Sequence, residues 1–227
     1  MAESNPGPTR TSVQSTITNA NDMEDIAIER HPLAPFTPDG AKILMLGSFP
    51  PKKERWSMEF FYPNFINDMW RITGLIFYGD KEHFIAKDIN GKNLKKFDKE
   101  KIVSFCIETG IAMYDTATEV RRLKDNASDK FLEIVTPTDI PALLERLPEC
   151  KAIVTTGQKA TDIIVGTFGC IEPATGGDSS IILHTKDGGT RELTFYRMPS
   201  SSRAYPLSVE KKADFYRPMY IREGLLK

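Results

Sequence analysis

Cysteine, histidine and net charge are all scarce in this chain, and each shortage removes a class of function. Three cysteines, Cys106, Cys150 and Cys170, stand alone among 227 residues. They form neither a CxxC pair nor an even framework, which excludes a four-thiolate iron–sulfur site. Isolated thiols of this kind fit a reduced, cytoplasmic setting. The three histidines, His31, His83 and His184, show no metal-ligand spacing, so no metal is expected. Lys and Arg number 30 against 31 for Asp and Glu, a formal net charge of −1. That balance argues against a protein that coats nucleic acid, and any such contact must come from a local basic patch. No apolar run reaches the roughly 18 residues that span a bilayer. The first residues lack the apolar core of a signal peptide, so no membrane partner is expected.

What is present is ordinary globular material: 40% hydrophobic and 27% charged residues, enough for one large domain. Residues 1–25 are rich in Ser, Thr, Asn and Pro and read as a mobile tail. The remainder, 26–227, reads as one domain. "HPLAPFTPDG", from His31 to Gly40, is a Pro-punctuated lead-in that packs across it. "KILMLGS" is a nearly continuous apolar run, as expected of a strand covered on both faces. Residues 64–77 carry helical periodicity, with Phe65, Met69, Ile72 and Ile76 on one face. Further helices are expected over 98–110, 136–148, 158–168 and 208–225, and further strands over 111–115 and 152–157. Residues 179–199 read as a hairpin turning at Gly188-Gly189, its second arm being the last strand. Strands alternating with helices predict a three-layer α/β/α sandwich around a four-stranded, mainly parallel sheet. The charged stretch 87–101 reads as a solvated face, with a DNA-facing role as the alternative.

Two segments stand out. "KILMLGSFPPKKERWSMEFFYPNFINDMWRI" (42–72) and "FYRMPSSSRAY" (195–205) each read as a buried strand running into a loop of small, turn-forming residues. Loops at the carboxyl ends of parallel strands meet at one edge of an open sheet, where α/β folds bind ligands.

The motifs in these segments resemble those of the uracil-DNA glycosylase superfamily, nearest to its hypoxanthine-DNA glycosylase and mismatch-specific branches. "GSFPP" (47–51) is similar to the family's Gly-x-x-Pro-Gly loop. "FYPNFINDMWRI" (61–72) is similar to the branch pattern Tyr-Tyr-Gly-His-Pro-x-Asn-x-Phe-Trp-(Arg/Lys)-(Ile/Val). "MPSSSRAY" (198–205) is similar to its His/Leu/Asn-Pro-Ser-x-Ser/Leu loop. Their order and spacing match over residues 31–220. The resemblance implies a monofunctional DNA glycosylase of base excision repair, a monomer needing no cofactor, with DNA as its partner. Such an enzyme flips a deaminated base, uracil or hypoxanthine, out of DNA and hydrolyses its N-glycosidic bond. The bond breaks through an oxocarbenium-like sugar, and preorganised donors stabilise the charge on the departing base.

Carried over residue by residue, the resemblance makes Asn67, three residues before Trp70, the catalytic amide. Read from the residues alone, Asn67 is instead a helix N-cap or makes a local turn bond, with Asn64 competing for the cap. Tyr62 takes the place of the stacking aromatic, against the plainer reading of a half-buried tyrosine. Gly47, Ser48 and Phe49 supply pocket walls and backbone donors. Asp115, at a strand end, either reads the base edge or caps a helix over "TATEVRR". Pro199, Ser200, Ser201, Ser202 and Arg203 form a DNA-gripping loop, against the reading of an ordinary flexible loop. The chain departs from the family at Ser48 and Phe49, where other branches carry acidic or amide residues. It departs again at Met198, where many carry histidine, and at Pro63 to Ile66. These departures keep two rivals in view. One is a glycosylase-fold protein that binds nucleic acid or a nucleobase without cleaving it. The other is a hydrolase of free nucleosides or nucleotides.

Overall fold

A computed structural model of the chain describes residues 26–123 and 131–227. The tail expected over 1–25 lies outside them. In chain order the first elements are β1 (Ile28–Arg30), β2 (Ile43–Gly47), α1 (Met69–Tyr78), β3 (Ile85–Lys87), β4 (Asn93–Phe97) and α2 (Lys99–Thr109). Then come β5 (Ile111–Asp115), β6 (Ala117–Arg122), β7 (Leu132–Pro137), α3 (Ile140–Glu145) and β8 (Ala152–Thr155). The chain closes with α4 (Gln158–Phe168), β9 (Asp178–His184), β10 (Thr190–Arg197) and α5 (Val209–Arg222).

The main sheet has the order β5-β2-β8-β10-β9. Its first four strands run parallel, and β9 pairs antiparallel with β10. These four are the expected parallel strands, and the first arm of the expected hairpin adds a fifth at the edge. Ile43, Leu44, Met45 and Leu46 of β2 are all 0% exposed, so both faces of the sheet are covered. One covering layer is α1, α2 and α5: the Phe77 ring of α1 lies 4.8 Å from Phe105 of α2 and 5.0 Å from Tyr220 of α5. Right-handed crossovers put α3 and α4 on the other face. This is a three-layer α/β fold.

Helix boundaries follow local chemistry. The α2 helix starts where the Asp98 carboxylate accepts from the Lys101 amide and stops at Gly110 in the left-handed region, φ 78°. The α1 helix starts later than expected, at Met69, because residues 64–67 close a turn first, Asn67 N–H donating to the Asn64 carbonyl at 2.8 Å. The α3 helix is shorter than the segment 136–148, beginning only after the Asp139 cap.

The helix considered over "TATEVRR" does not form. Residues 117–122 are strand β6, which joins β1 and β7 in a separate three-stranded antiparallel sheet. That sheet has its own small apolar cluster of Ala117, Val120 and Leu132, with Phe49 packed on it. The charged stretch 87–101 builds most of the β3-β4 hairpin and the start of α2.

The parallel strands end level with one another. Gly47 pairs with Asp115, Leu46 with Thr155, and Thr155 with Arg197. Four remote stretches of sequence therefore leave the sheet at one edge, as ligand-binding α/β folds require.

Candidate functional site

A cleft of about 640 Å³ opens at that edge, a size that suits a small-molecule or nucleobase ligand. Gly47, Ser48, Phe49, Tyr62, Asn67, Asp115, Ser200, Ser201, Ser202 and Arg203 all line it. The structure thus brings together ten of the eleven residues singled out from sequence. The eleventh, Pro199, is buried behind the loop, where its carbonyl accepts from the Tyr216 hydroxyl at 2.8 Å. Burial raises the Tyr216 pKa well above the usual phenol range, so this group stays a donor. Met198 is likewise buried, its amide donating to the Thr155 carbonyl. Both residues support the serine loop from below.

Gly47 has a specific reason to be glycine. A Cβ at this position would lie 2.4 Å from Asp115 Oδ1 on the adjacent strand. Only a bare Cα lets that carboxylate lean across the sheet edge into the cleft. Asp115 is held there from the other side. Its Oδ2 accepts from His31 Nε2 at 2.9 Å, and its backbone carbonyl accepts from the Thr138 hydroxyl at 2.7 Å. His31 comes from the Pro-rich lead-in, 84 residues earlier. Its Nδ1 meets the Leu33 backbone, 2.8 Å from the carbonyl oxygen.

Tyr62 is the one described non-glycine residue with positive φ, at 52°. Left-handed backbone at a bulky side chain is strained and persists only where the surroundings enforce it. Here the enforcing contacts are visible. The Tyr62 hydroxyl lies 2.8 Å from Thr156 Oγ1 beyond β8, and its ring sits edge-on to Trp70 at 6.5 Å. Trp70 is in turn buried and donates to the Phe61 carbonyl.

Asn67 does two things at once. Its Oδ1 accepts from the Met69 amide at 2.9 Å, which ties it to the start of α1, and the residue also lines the cleft. This is a local turn bond rather than a helix cap: the N-cap position is Asp68, whose side chain makes no capping bond. The amide NH2 makes no hydrogen bond among the described residues and is the half of the side chain available to a ligand. Next to it, Asp68 is 3% exposed and accepts from the Lys212 ammonium at 2.9 Å. Lys212, fully buried on α5, also donates to the Ser202 carbonyl at 2.8 Å. The Asp68 amide donates to the Ser201 carbonyl at 2.9 Å. The serine loop is thereby fastened to the Asn67 turn by specific bonds. Ser200 and Ser202 hydroxyls accept from amides two residues on, while Ser201 is buried in the cleft wall.

Several lining residues carry no family pattern in the sequence. Thr156 follows a strand end and was findable by the same edge argument as Asp115. Arg122 lines the cleft but is spent on Glu29 and the Pro50 carbonyl. His31 gave no local signal, since its partner is remote in sequence. Two further cationic side chains line the cleft: Arg55, after the first motif, and Arg203 on the serine loop, whose side chain is 54% exposed and lies 3.4 Å from Asp68 Oδ1. Lys52 and Lys53, exposed, precede Arg55 in sequence. No residue from 87 to 101 lines the cleft. Among the described residues no group of three or more His, Cys, Asp or Glu is placed to hold a metal ion. No described helix is long and apolar enough to cross a membrane.

No protein-family model matches the chain, and no curated protein matches it either. A solved structure does. The solution NMR structure of a "putative Uracil DNA glycosylase" from Methanosarcina acetivorans superposes with a TM-score of 0.51. The match covers 85% of this chain and 99% of that one at 21% sequence identity. The chain is remotely related in structure to that archaeal protein. At this identity the likeness is one of fold: the α/β architecture is shared.

Proposed function

We propose that the chain is a monofunctional DNA glycosylase that excises a deaminated base, uracil or hypoxanthine. The observation that carries this reading is convergence. Three motifs separated by up to 150 residues, read from sequence as one site, line a single cleft with Asp115 between them.

The chemistry assigns each group a task. A flipped base enters between the Gly47–Phe49 wall and the Tyr62 ring. Asp115 meets its edge. Asn67 NH2 and the backbone amides of the first motif stabilise negative charge on the base as the glycosidic bond lengthens. Water then attacks the oxocarbenium-like sugar carbon, leaving an abasic site and the free base. Ser200, Ser202 and Arg203 on one side, and Arg55 on the other, take the flanking phosphates.

Phe49, which offers no acid to activate water, favours one rival, a protein that holds the base without cleaving it. Fluorescent oligonucleotides bearing uracil or hypoxanthine, incubated with protein and then treated with alkali, separate the two. Strand scission by wild type that collapses in Asn67→Ala supports the glycosylase. Retained DNA binding without scission at high protein concentration supports the binder.

A further inference from the structure

His31 is a tightly built group beside the cleft that the proposed chemistry leaves unused. Its side chain is 2% exposed, and that of Asp115 is 10% exposed. The imidazole is enclosed by aromatic rings, with Tyr114 at 4.7 Å and Phe49 edge-on at 5.3 Å. Its Nδ1 is occupied by the Leu33 backbone. A ring held on both nitrogens and on its faces has one orientation, and in it Nε2 points at Asp115 Oδ2.

The two carboxylate oxygens are consequently unequal. Oδ2 is taken. Oδ1 has no hydrogen-bond partner among the described residues, yet it is not among the sealed, unpartnered polar atoms, which are Thr116 Oγ1, Arg121 Nε and Glu133 Oε2. It opens on the cleft over the bare Cα of Gly47. The terminal torsion of an aspartate is broad and roughly two-fold, so a carboxylate without such a clamp turns freely.

We propose that His31 is a positioning residue. It holds Asp115 by Oδ2, so that Oδ1 alone meets the ligand, as a fixed acceptor that selects a base carrying a ring N–H. The inference deepens the glycosylase reading and takes the ligand class from it. An ionised carboxylate only accepts hydrogen bonds. The pairing edges of cytosine and adenine present a ring nitrogen lone pair, which Oδ1 repels. Deamination turns that same nitrogen into an N–H donor, in uracil and in hypoxanthine. A clamped single acceptor at this point therefore distinguishes the deaminated base from its parent at one atom. The selectivity of the site belongs in part to a histidine that never touches the base.

The test uses the full chain and single-stranded oligonucleotides carrying either uracil or cytosine at one position, where no base pair has to be broken. Binding is read by fluorescence anisotropy and excision by alkaline scission, for wild type, His31→Gln, His31→Phe and His31→Asn. Wild type is expected to bind the uracil strand about 10-fold or more tighter than the cytosine strand, as for loss of a hydrogen bond to a charged group. His31→Gln keeps a donor of similar reach and retains most of that ratio. His31→Phe keeps the ring but not the bond, and His31→Asn is too short to reach; either brings the ratio close to one by weakening the uracil strand without weakening the cytosine strand. A purely structural role weakens both strands alike and leaves the ratio intact, which overturns the proposal. Equal binding of both strands by wild type overturns it too. A ratio that depends on His31 in a protein that never cleaves sinks the glycosylase reading and leaves this one standing. Cleavage with a ratio indifferent to His31 does the reverse.

Discussion

Asn67 carries two roles on two atoms, and a single isosteric change separates them. Asn67→Asp keeps an oxygen to accept from Met69 and removes the NH2 donor. The expected result is a melting temperature close to wild type with base excision reduced roughly 100-fold or more, the cost of losing one preorganised donor. Asn67→Ala loses both, adding about 1 kcal/mol of destabilisation for the lost turn bond. Loss of excision in Ala but not in Asp assigns the residue to holding the turn alone. Gly47→Ala acts on a different atom of the same site. Its methyl would stand 2.4 Å from Asp115 Oδ1, so the carboxylate has to leave its place. The variant is expected to fold, at a cost of about 1–3 kcal/mol for overpacking, and to lose uracil selectivity in the anisotropy assay. Unchanged selectivity would mean that the Asp115 carboxylate does not read the base.

At the scale of elements, the pair Asp68–Lys212 joins the start of α1, the serine loop and α5. Both side chains are at most 5% exposed. Lys212→Met removes the buried partner of the Asp68 carboxylate, leaving it only the half-exposed Arg203 at 3.4 Å, and is expected to destabilise the fold by about 3 kcal/mol in urea unfolding. The double variant Asp68→Asn/Lys212→Met removes the stranded charge and is expected to recover a good part of that loss, the signature of direct coupling. Additive losses would show that the two residues act separately. Elements also mark where sequence was legible and where it was not. The β2 strand, buried on both faces, and α2 and α4, with glycine stops, announce themselves through apolar runs and breakers. The β6 strand does not. Its buried residues, Ala117 and Val120, are three apart, and its pairing with β7 shifts register on either side of Glu119. A bulge that breaks the two-residue alternation imitates the helical period and hides the strand. The cleft motifs were legible because loops after parallel strands must share an edge. His31 and Lys212 were not, because long-range hydrogen bonds leave no pattern in local spacing.

Over the whole molecule, thiol chemistry reports on intactness. Cys106 and Cys150 are fully enclosed, and burial pushes both thiols up, that of Cys150 to about 11. Only Cys170 is partly exposed, and its thiol is also raised by burial. Since the thiolate is the reactive form, a disulfide reagent at pH 8 is expected to label one thiol slowly in the native protein and all three after unfolding. Rapid labelling of three native thiols would contradict the packing of α2 and of the residues leading into β8.

The direction of the β9-β10 hairpin has a practical side. The cleft lies at the carboxyl end of β10, whereas the turn at 185–189 lies at its start, eight residues earlier. At strand rise that is roughly 25 Å away. Residues 186–189 are exposed, and a Cβ on Gly188 would meet nothing within 4 Å. Exposed turn tips are where chains tolerate inserted sequence. A fluorophore tag or tethering peptide spliced in at this turn would anchor the protein to a surface with its cleft facing outward, ready for single-molecule observation on stretched DNA.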